Sequence, residues 1–189
     1  MSIIFEEDIE FCPTKRINHI DNYRSLVHDN SIELSIFLVI NEILKKNKTN
    51  PLYKKILKKQ RKSSFNCYKL PKIGILEYLH RLNKYCEIER STLICTLIYL
   101  DRIIKNFIII TEYNIHRLLL MSLITSIKYN EDVIYDNMDF SKIAGISLKE
   151  FNKIETEFLL ILNFKLYIKE IEFQQYKKYL DNYCYKKKC

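Results

Sequence analysis

Histidine, cysteine, serine and acidic residues are the side chains that most often carry chemistry, and their spacing in this chain defines no catalytic or metal site. The four histidines are His19, His28, His80 and His116, and no two of them have metal-ligand spacing. The six cysteines contain no C-x-x-C pair, and no serine lies in a nucleophile-elbow sequence. The one acidic cluster, residues 6–8, lies in a segment without sustained periodicity. We therefore expect no independent catalysis, no metal ion and no other cofactor.

Glycine is nearly absent, which excludes the common phosphate-binding loops. Gly74 and Gly145 are the two glycines in 189 residues, whereas Walker and Rossmann loops each need several glycines close together. With three prolines as well, the chain has too few turn residues for a β-rich or α/β fold. Its hydrophobic content of 48% is enough for the core of one folded domain.

The net charge of +8 is concentrated in a basic run at residues 45–62. The basic residues in its second half are Lys54, Lys55, Lys58, Lys59 and Arg61. Such a run is typical of a nucleic-acid or nuclear-import patch, and equally of a solvated linker. No aromatic stacking platform is interleaved with it, and the abundance of Lys, Asn, Ile and Tyr is typical of A/T-rich coding. We interpret the run as a linker.

No secretory signal and no membrane span are indicated. Residues 1–10 turn acidic at once instead of starting basic and continuing apolar. The uncharged, mainly apolar stretch between Arg117 and Lys128 has about half of the roughly 20 residues that a bilayer requires. With reduced cysteines as the simplest interpretation, we expect a protein of the cytoplasm, the nucleus or both.

The same apolar stretch predicts the element around which the rest of the chain packs. In residues 111–128, TEYNIHRLLLMSLITSIK, apolar side chains surround the whole circumference of a helix, interrupted by small polar residues. Thr111 is a plausible helix cap, and Lys128 marks the end that reaches the surface. A helix that is apolar on every side needs neighbouring helices on every side. We therefore predict the central helix of an all-α domain.

Apolar residues at helical spacing predict further helices around it. Before it, one helix follows Ser31 as cap, and others start near Pro71 and at Ser91; after it, one starts at Asn137 or Asp139, and one follows Ser147. Gly145 is a natural stop, and Ser147 with Glu150 three residues later has the pattern of a capping box. The tail could add one more helix.

Five short helices, of which the third is apolar all round, resemble the cyclin box. More specific are the segments SSFNCYKLPKIGILEYLHRLNKY, YLDRI, TEYNIHRLLL, KYNEDVIYDN, IAGIS and FNKIETEFLLILNFKL. Their order and spacing resemble the P/U-type cyclins, a group associated with phosphate-responsive and related cyclin-dependent kinases. The resemblance covers about residues 31–176. It implies an all-α fold: a five-helix cyclin box around a central apolar helix, with an extra N-terminal helix and a C-terminal helix.

The resemblance also divides the chain into four parts. Residues 1–30 are expected to be a flexible or partner-contacting arm, and residues 31–65 the preceding helix and the basic linker. Residues 66–168 are the predicted cyclin box, and residues 169–189 the predicted C-terminal helix and basic tail.

By this resemblance the chain binds and activates a cyclin-dependent kinase as a heterodimer, without a small-molecule substrate. Lys128 and Glu155 match the Lys and Glu with which cyclins hold backbone groups at the start of the kinase C helix. The matching apolar contact positions are Tyr129, Leu159, Phe164 and Leu166. Without the surrounding segments, the two charges would indicate no more than a solvated surface.

Two further features of the family pattern concern the fold and the substrates. The pattern implies that Asp101 pairs with an Arg of the first box helix, for which Arg81 is the candidate, and that this pair joins the first two box helices. Where cell-cycle cyclins form a docking groove for substrate peptides, this chain has PKIGIL, and it contains no Trp. Substrate docking through that groove is therefore not expected.

Two alternatives use the same fold. Basic transcription-initiation factors share the cyclin fold and bind nucleic acid, although they generally have two boxes and a zinc ribbon, neither of which is evident here. Nucleic acid is therefore not the expected partner. A cyclin-fold scaffold for a non-kinase partner is the other alternative.

Overall fold

The computed structural model of the chain describes residues 32–60, 63–106, 108–132 and 135–186, with side chains up to residue 182. The predicted arm at residues 1–30, the predicted cap at Ser31 and Arg61 of the basic run lie outside these ranges.

The described residues form eight helices and no strand, which confirms the all-α prediction. The helices are α1 (Ile32–Lys48), α2 (Tyr53–Gln60), α3 (Ile75–Cys86), α4 (Arg90–Lys105), α5 (Ile115–Asn130), α6 (Asn137–Ala144), α7 (Leu148–Ile161) and α8 (Glu170–Lys186). Helices α3 to α7 are the five helices predicted for the box, with α1 before them and α8 after them.

Helix α5 is the centre of the bundle, as its sequence predicts. Every side chain from residue 118 to residue 127 is buried, and α5 packs against α3, α4 and α7. Its contact with α4 is the most extensive between any two of the described helices. Small polar residues lie buried on both helices, among them Ser122 and Ser126 on α5 and Thr92 and Thr96 on α4. Because the distance between packed helices depends on the side chains at the contact, these small residues allow a close approach.

The start of α5 differs from the prediction. Thr111 does not cap the helix but lies buried four residues before its first residue, Ile115. Asn114 closes the intervening turn: its side-chain oxygen accepts from the Thr111 N–H at 2.8 Å, and its amide donates to the Ile109 carbonyl at 2.9 Å. Asn is well suited to this role because its short side chain bonds nearby backbone groups.

The two signals around the start of α7 are confirmed in part. Gly145 ends α6 in the left-handed conformation, with φ of 75°. The Ser147 hydroxyl caps α7 by accepting from the Glu150 N–H at 3.2 Å. Glu150 does not complete the capping box, because its carboxylate pairs with Arg117 of α5.

The stretch predicted as a basic linker contains a short helix, α2. None of its residues is buried, and Lys54, Lys55, Lys58 and Lys59 are exposed, so it is solvated as predicted. The helical conformation is consistent with its composition, since Lys, Leu and Gln are good helix formers.

Residues 63–67, which follow this stretch, are fixed to the box by a side chain and by backbone contacts. Phe65 is buried, with its ring edge-on to Phe158 of α7 at 6.2 Å. Arg117 of α5 donates to the backbone carbonyls of Ser64 at 2.6 Å and Asn66 at 3.4 Å. The segment therefore joins the first part of α5 to α7.

The predicted Arg81–Asp101 ion pair is not formed. Asp101 is fully buried on α4, where its Oδ2 lies 2.8 Å from Nζ of Lys105 and accepts from the Tyr176 hydroxyl at 2.5 Å. Arg81 is exposed on α3. The buried carboxylate therefore joins α4 to α8 instead of α4 to α3. Its partners are Lys105, one helical turn further along α4, and the phenol of Tyr176 on α8.

His116 is a partly buried imidazole at the start of α5. Its Nε2 donates to the Ile73 carbonyl at 2.9 Å, and its ring lies 5.4 Å from that of Tyr78. Burial lowers the pKa of His116 below its ordinary value, and the hydrogen bond to Ile73 offsets this effect in part. The folded protein therefore favours the neutral imidazole.

None of the helices in the described ranges has the length and hydropathy needed to cross a membrane. Nor do three or more His, Cys, Asp or Glu side chains in the described ranges come together as metal ligands would.

Replacing Asp101 should destabilise the bundle. Asp101→Ala removes a buried acceptor shared by Lys105 and Tyr176, and we expect the free energy of unfolding to fall by about 3 kcal/mol. Urea denaturation followed by circular dichroism measures it. Asp181→Ala, which removes a half-exposed carboxylate of α8 from Arg90, is the matched control and should cost less than about 1 kcal/mol. Equal losses in the two variants would contradict the assigned role of Asp101.

The lowered pKa of His116 predicts a pH-dependent stability. The unfolded chain binds a proton at this histidine more readily than the folded chain, so stability falls as pH drops below the unfolded value of about 6.5. Gln at this position can place an amide near Nε2 without titrating. His116→Gln should therefore lose less stability than the native chain between about pH 7 and pH 5, measured by urea denaturation. Identical pH profiles would show that His116 does not contribute.

Candidate protein-binding surface

Lys128 and Glu155 lie side by side, although 27 residues separate them in the chain. Lys128 is in the last turn of α5 and Glu155 is in the middle of α7, and α5 packs directly against α7. Lys128 Nζ is 2.5 Å from Glu155 Oε1. The lysine side chain is 36% exposed and the glutamate side chain 16% exposed. The pair is thus at the surface, and its carboxylate is the better shielded partner.

Asn137, the first residue of α6, completes this polar group. Its side-chain oxygen accepts from Lys128 Nζ, and its amide donates to Glu155 Oε2 at 2.8 Å and to Asn152 Oδ1 at 2.9 Å. The sequence predicts Asn137 as a possible helix start and not as a member of the site. Asn137 ends the KYNEDVIYDN segment, which begins with Lys128, and this shared segment is the signal that could have indicated a role beside Lys128.

Two aromatic rings lie close to the lysine. Nζ of Lys128 is 5.8 Å from the ring centroid of Phe140 and 6.0 Å from that of Phe151. The two rings are stacked, with an interplanar angle of 5°. A cation near the faces of aromatic rings gains a modest attraction. Both rings are buried, so their positions are fixed by packing. The ammonium group therefore has an apolar support from α6 and α7.

Of the four predicted apolar positions, Tyr129 and Leu159 lie near the ends of α5 and α7, and the other two follow α7. Tyr129 is 48% exposed, and Phe164, in the turn after α7, is 62% exposed. Leu159 and Leu166 are partly buried. With the charged pair, these residues form what we call the Lys128–Glu155 surface: Lys128, Tyr129, Glu155, Leu159, Phe164 and Leu166. Exposed apolar side chains of the size of Tyr129 and Phe164 are typical of a protein-binding surface.

The turn after α7 presents Phe164 in an unusual backbone conformation. Asn163 and Phe164 both have positive φ, at 50° and 54°. Asn tolerates this region, whereas a bulky side chain there costs of order 1–3 kcal/mol. The Leu159 carbonyl accepts from the Phe164 N–H at 3.0 Å, which fixes the turn to the end of α7. Such strain is frequent where a side chain must be held in one position for function.

Arg102 and Tyr99 of α4 hold the segment that follows. Arg102 donates to the carbonyls of Lys165 at 2.8 Å and Tyr167 at 3.0 Å, and it pairs with Glu172. The Tyr99 hydroxyl donates to the Leu166 carbonyl at 2.7 Å. These bonds position residues 165–167 against α4.

The buried Tyr99 also links this segment to the end of α5. Burial is the main cause that raises the pKa of Tyr99, and the nearby phenol of Tyr129 adds to the effect. Tyr99 therefore stays a neutral donor at physiological pH. Tyr99 therefore holds the segment after α7 through its hydrogen bond to the Leu166 carbonyl and lies near Tyr129 at the end of α5.

Comparison with known proteins identifies the fold. The family model described as Cyclin matches residues 7–166. The chain belongs to the cyclin family. Among its relatives are Cyclin-U4-3 of Arabidopsis thaliana, 38% identical over 120 residues, and Cyclin-P4-1 of Oryza sativa subsp. japonica, 34% identical over 116 residues. Another is PHO85 cyclin-7 of Saccharomyces cerevisiae, 34% identical over 124 residues. The resemblance to P/U-type cyclins is therefore confirmed.

These matches cover a limited part of each protein. They span 62%, 60% and 59% of this cyclin, and 55%, 55% and 44% of Cyclin-U4-3, Cyclin-P4-1 and PHO85 cyclin-7, respectively. The chain thus spans about half the length of the relatives that it matches. The rest of each relative has no counterpart in the matched part of this chain.

The charged pair should contribute little to the stability of this cyclin. Lys128→Ala removes a partly exposed ion pair, and such pairs contribute about 0–1 kcal/mol because water and salt screen them. We therefore expect the unfolding free energy of Lys128→Ala, measured in urea, to stay within about 1 kcal/mol of the native value. A loss of about 3 kcal/mol or more would show that the pair belongs to the fold and not to a surface available for binding.

Proposed function

We propose that this cyclin is a regulatory subunit that binds a cyclin-dependent protein kinase through the Lys128–Glu155 surface and activates it. Membership of the cyclin family supports this function, as do relatives that are named as cyclins of PHO85. The chain would contribute no catalytic group of its own.

The observation that carries the proposal is the contact between Lys128 and Glu155 at the surface of the bundle. An ammonium group has three N–H donors, and two of those of Lys128 point at Glu155 and Asn137. The third is available for a backbone carbonyl of a partner. The carboxylate of Glu155 has about four acceptor positions, so it can accept further N–H groups while it stays paired with Lys128.

Such a pair is chemically suited to the start of a helix. The first N–H groups of a helix have no partner within that helix, and the helix dipole favours a negative charge beside them. Glu155 would accept from these N–H groups, while Lys128 would donate to a carbonyl of the segment that leads into the helix. Charge-assisted bonds of this kind fix orientation, and Phe164, Tyr129 and their apolar neighbours would supply most of the buried area.

In a kinase, the helix in question is the mobile C helix, whose Glu must reach the ATP-holding Lys in the active state. A cyclin that binds the active position of this helix more tightly than the inactive position shifts the population of the kinase. A near-complete switch needs a difference in binding free energy of about 5 kcal/mol.

The direct experiment is affinity capture with the native chain. We expect a cyclin-dependent kinase to be retained from a lysate of the source cells and identified by mass spectrometry. The purified kinase should phosphorylate a generic substrate when this chain is added and not without it. Capture of non-kinase proteins alone would favour the scaffold alternative.

Reversing both charges of the pair should abolish capture without unfolding the chain. In Lys128→Glu with Glu155→Lys the two side chains can still pair with each other, but each now presents the wrong group to a helix start. We expect loss of kinase capture and of activation, with an unchanged circular dichroism spectrum.

The matched control reverses another exposed ion pair, between Arg90 of α4 and Asp181 of α8. Its Arg90 Nη2 and Asp181 Oδ1 atoms lie 2.5 Å apart. Arg90→Asp with Asp181→Arg changes the same number of charges outside the Lys128–Glu155 surface and should leave capture intact. If the first double variant still captures and activates its kinase, the surface is wrongly assigned.

The exposed lysines of α2 are the observation that favours a nucleic-acid-binding alternative. Binding to DNA of random sequence would weaken steeply with salt, because each neutralised phosphate releases counterions. Kinase binding through a largely apolar surface should change much less between about 50 and 200 mM salt. Titrating both partners at the two salt concentrations separates the two functions.

A further inference from the structure

Asn137 makes three hydrogen bonds, and each joins α6 to another helix. Its side chain contacts Lys128 of α5 and both Glu155 and Asn152 of α7. The amide thereby uses its oxygen as an acceptor and its nitrogen as a donor twice, which accounts for both of its N–H groups. It is the first residue of α6, so its backbone is fixed by the helix that it begins.

The chemistry of its neighbours determines the orientation of this amide. The ammonium of Lys128 can only donate, and the ionised carboxylate of Glu155 can only accept. If the amide were turned by 180°, its nitrogen would face the ammonium and its oxygen the carboxylate, and both hydrogen bonds would be lost. The positive charge therefore holds one side of the amide and the negative charge holds the other.

Lys128 in particular gains from such a restraint, because its long side chain is partly exposed. A lysine side chain that is one-third exposed samples many rotamers in water, and an exposed ion pair alone restricts them weakly. Asn137 gives each of the two charged groups a second fixed contact. Phe140 of α6, near the ammonium, limits its movement towards the core.

We propose that Asn137 is a positioning residue that sets the geometry of the Lys128–Glu155 pair before a partner binds. This inference rests on the proposed function, since it concerns how the pair is presented to a kinase. Because preorganised groups lose less conformational freedom on binding, removing Asn137 weakens the complex even though the amide need not touch the kinase.

The test is a double-mutant cycle with the purified cyclin-dependent kinase that the native chain captures. Asn137→Leu keeps the approximate size of the side chain and removes every hydrogen bond. In the native background it should raise the dissociation constant about tenfold. In a chain that already carries Lys128→Ala and Glu155→Ala, the same change should have less than about a twofold effect. Equal effects in both backgrounds would overturn the proposal, because Asn137 would then act independently of the pair.

A neighbouring substitution separates positioning from simple support of α6. The Asp136 carboxylate caps α6 by accepting from the Asp139 N–H at 2.9 Å. Asp136→Ala weakens the helix and leaves the hydrogen bonds among Lys128, Glu155 and Asn137 in place. It should change kinase affinity less than about twofold while lowering the melting temperature. If Asp136→Ala weakens binding as much as Asn137→Leu, Asn137 only supports the helix and the proposal fails.

A measurement on the free chain distinguishes failure of this inference from failure of the proposed function. The NMR order parameter of the Lys128 side chain should fall in Asn137→Leu and stay unchanged in Gln174→Ala, which removes a remote surface amide of α8. An unchanged Lys128 order parameter in Asn137→Leu would overturn the positioning role whether or not a kinase is captured. The native chain could also capture no kinase while the Lys128 order parameter still falls in Asn137→Leu. That result would overturn the proposed function and leave the positioning role standing.

Discussion

The burial of α5 on all sides is the constraint on which the rest of the structure depends. A helix of this kind is stable in water when other helices cover its apolar circumference, and α3, α4 and α7 provide much of that cover. Burying the ten side chains from residue 118 to residue 127 fixes the position of the helix along its axis as well as its rotation. Close packing makes any shift expensive, since a protein interior has few voids to absorb it.

That constraint reaches the surface at Lys128. The lysine is the first exposed residue after the buried part of α5, so its place is determined by the core. Glu155 is fixed in a similar way, because Phe151, Ile154 and Phe158, its neighbours on α7, are buried. The two charged side chains thus extend from backbone positions that the packing of α5 and α7 fixes. The proposed binding function depends on this link between a close-packed interior and a solvated pair.

A second layer of contacts shapes the apolar part of the surface. Residues 163 and 164 have strained backbone conformations, and Arg102 and Tyr99 hold the carbonyls of the residues that follow. The strain is maintained because well-made hydrogen bonds to α4 surround it. Phe164 is therefore displayed at the surface and is not free to fold back into the core, which is what a protein-binding aromatic side chain requires.

The composition and the hydrophobic period of the chain were sufficient to predict an all-α protein, its central helix, the stop at Gly145 and the cap at Ser147. These features depend on local chemistry: which side chains prefer a helix, which can accept from a free N–H, and which residue adopts positive φ. The resemblance to P/U-type cyclins added Lys128 and Glu155 as members of one surface, and the fold places them in contact. Neither periodicity nor capping could have paired them, because they are on different helices.

The tertiary structure alone decided which polar groups meet. Asp101 pairs with Lys105 and Tyr176 instead of Arg81, Glu150 leaves its capping box for Arg117, and Asn137 joins Lys128 to Glu155. In each case a polar side chain has several partners of suitable chemistry in the sequence. The choice among them depends on distances of a few ångströms between helices, which packing sets and which a one-dimensional pattern does not contain. The sequence by itself determined most of the helices and their order, and the packed bundle determined the contacts between them.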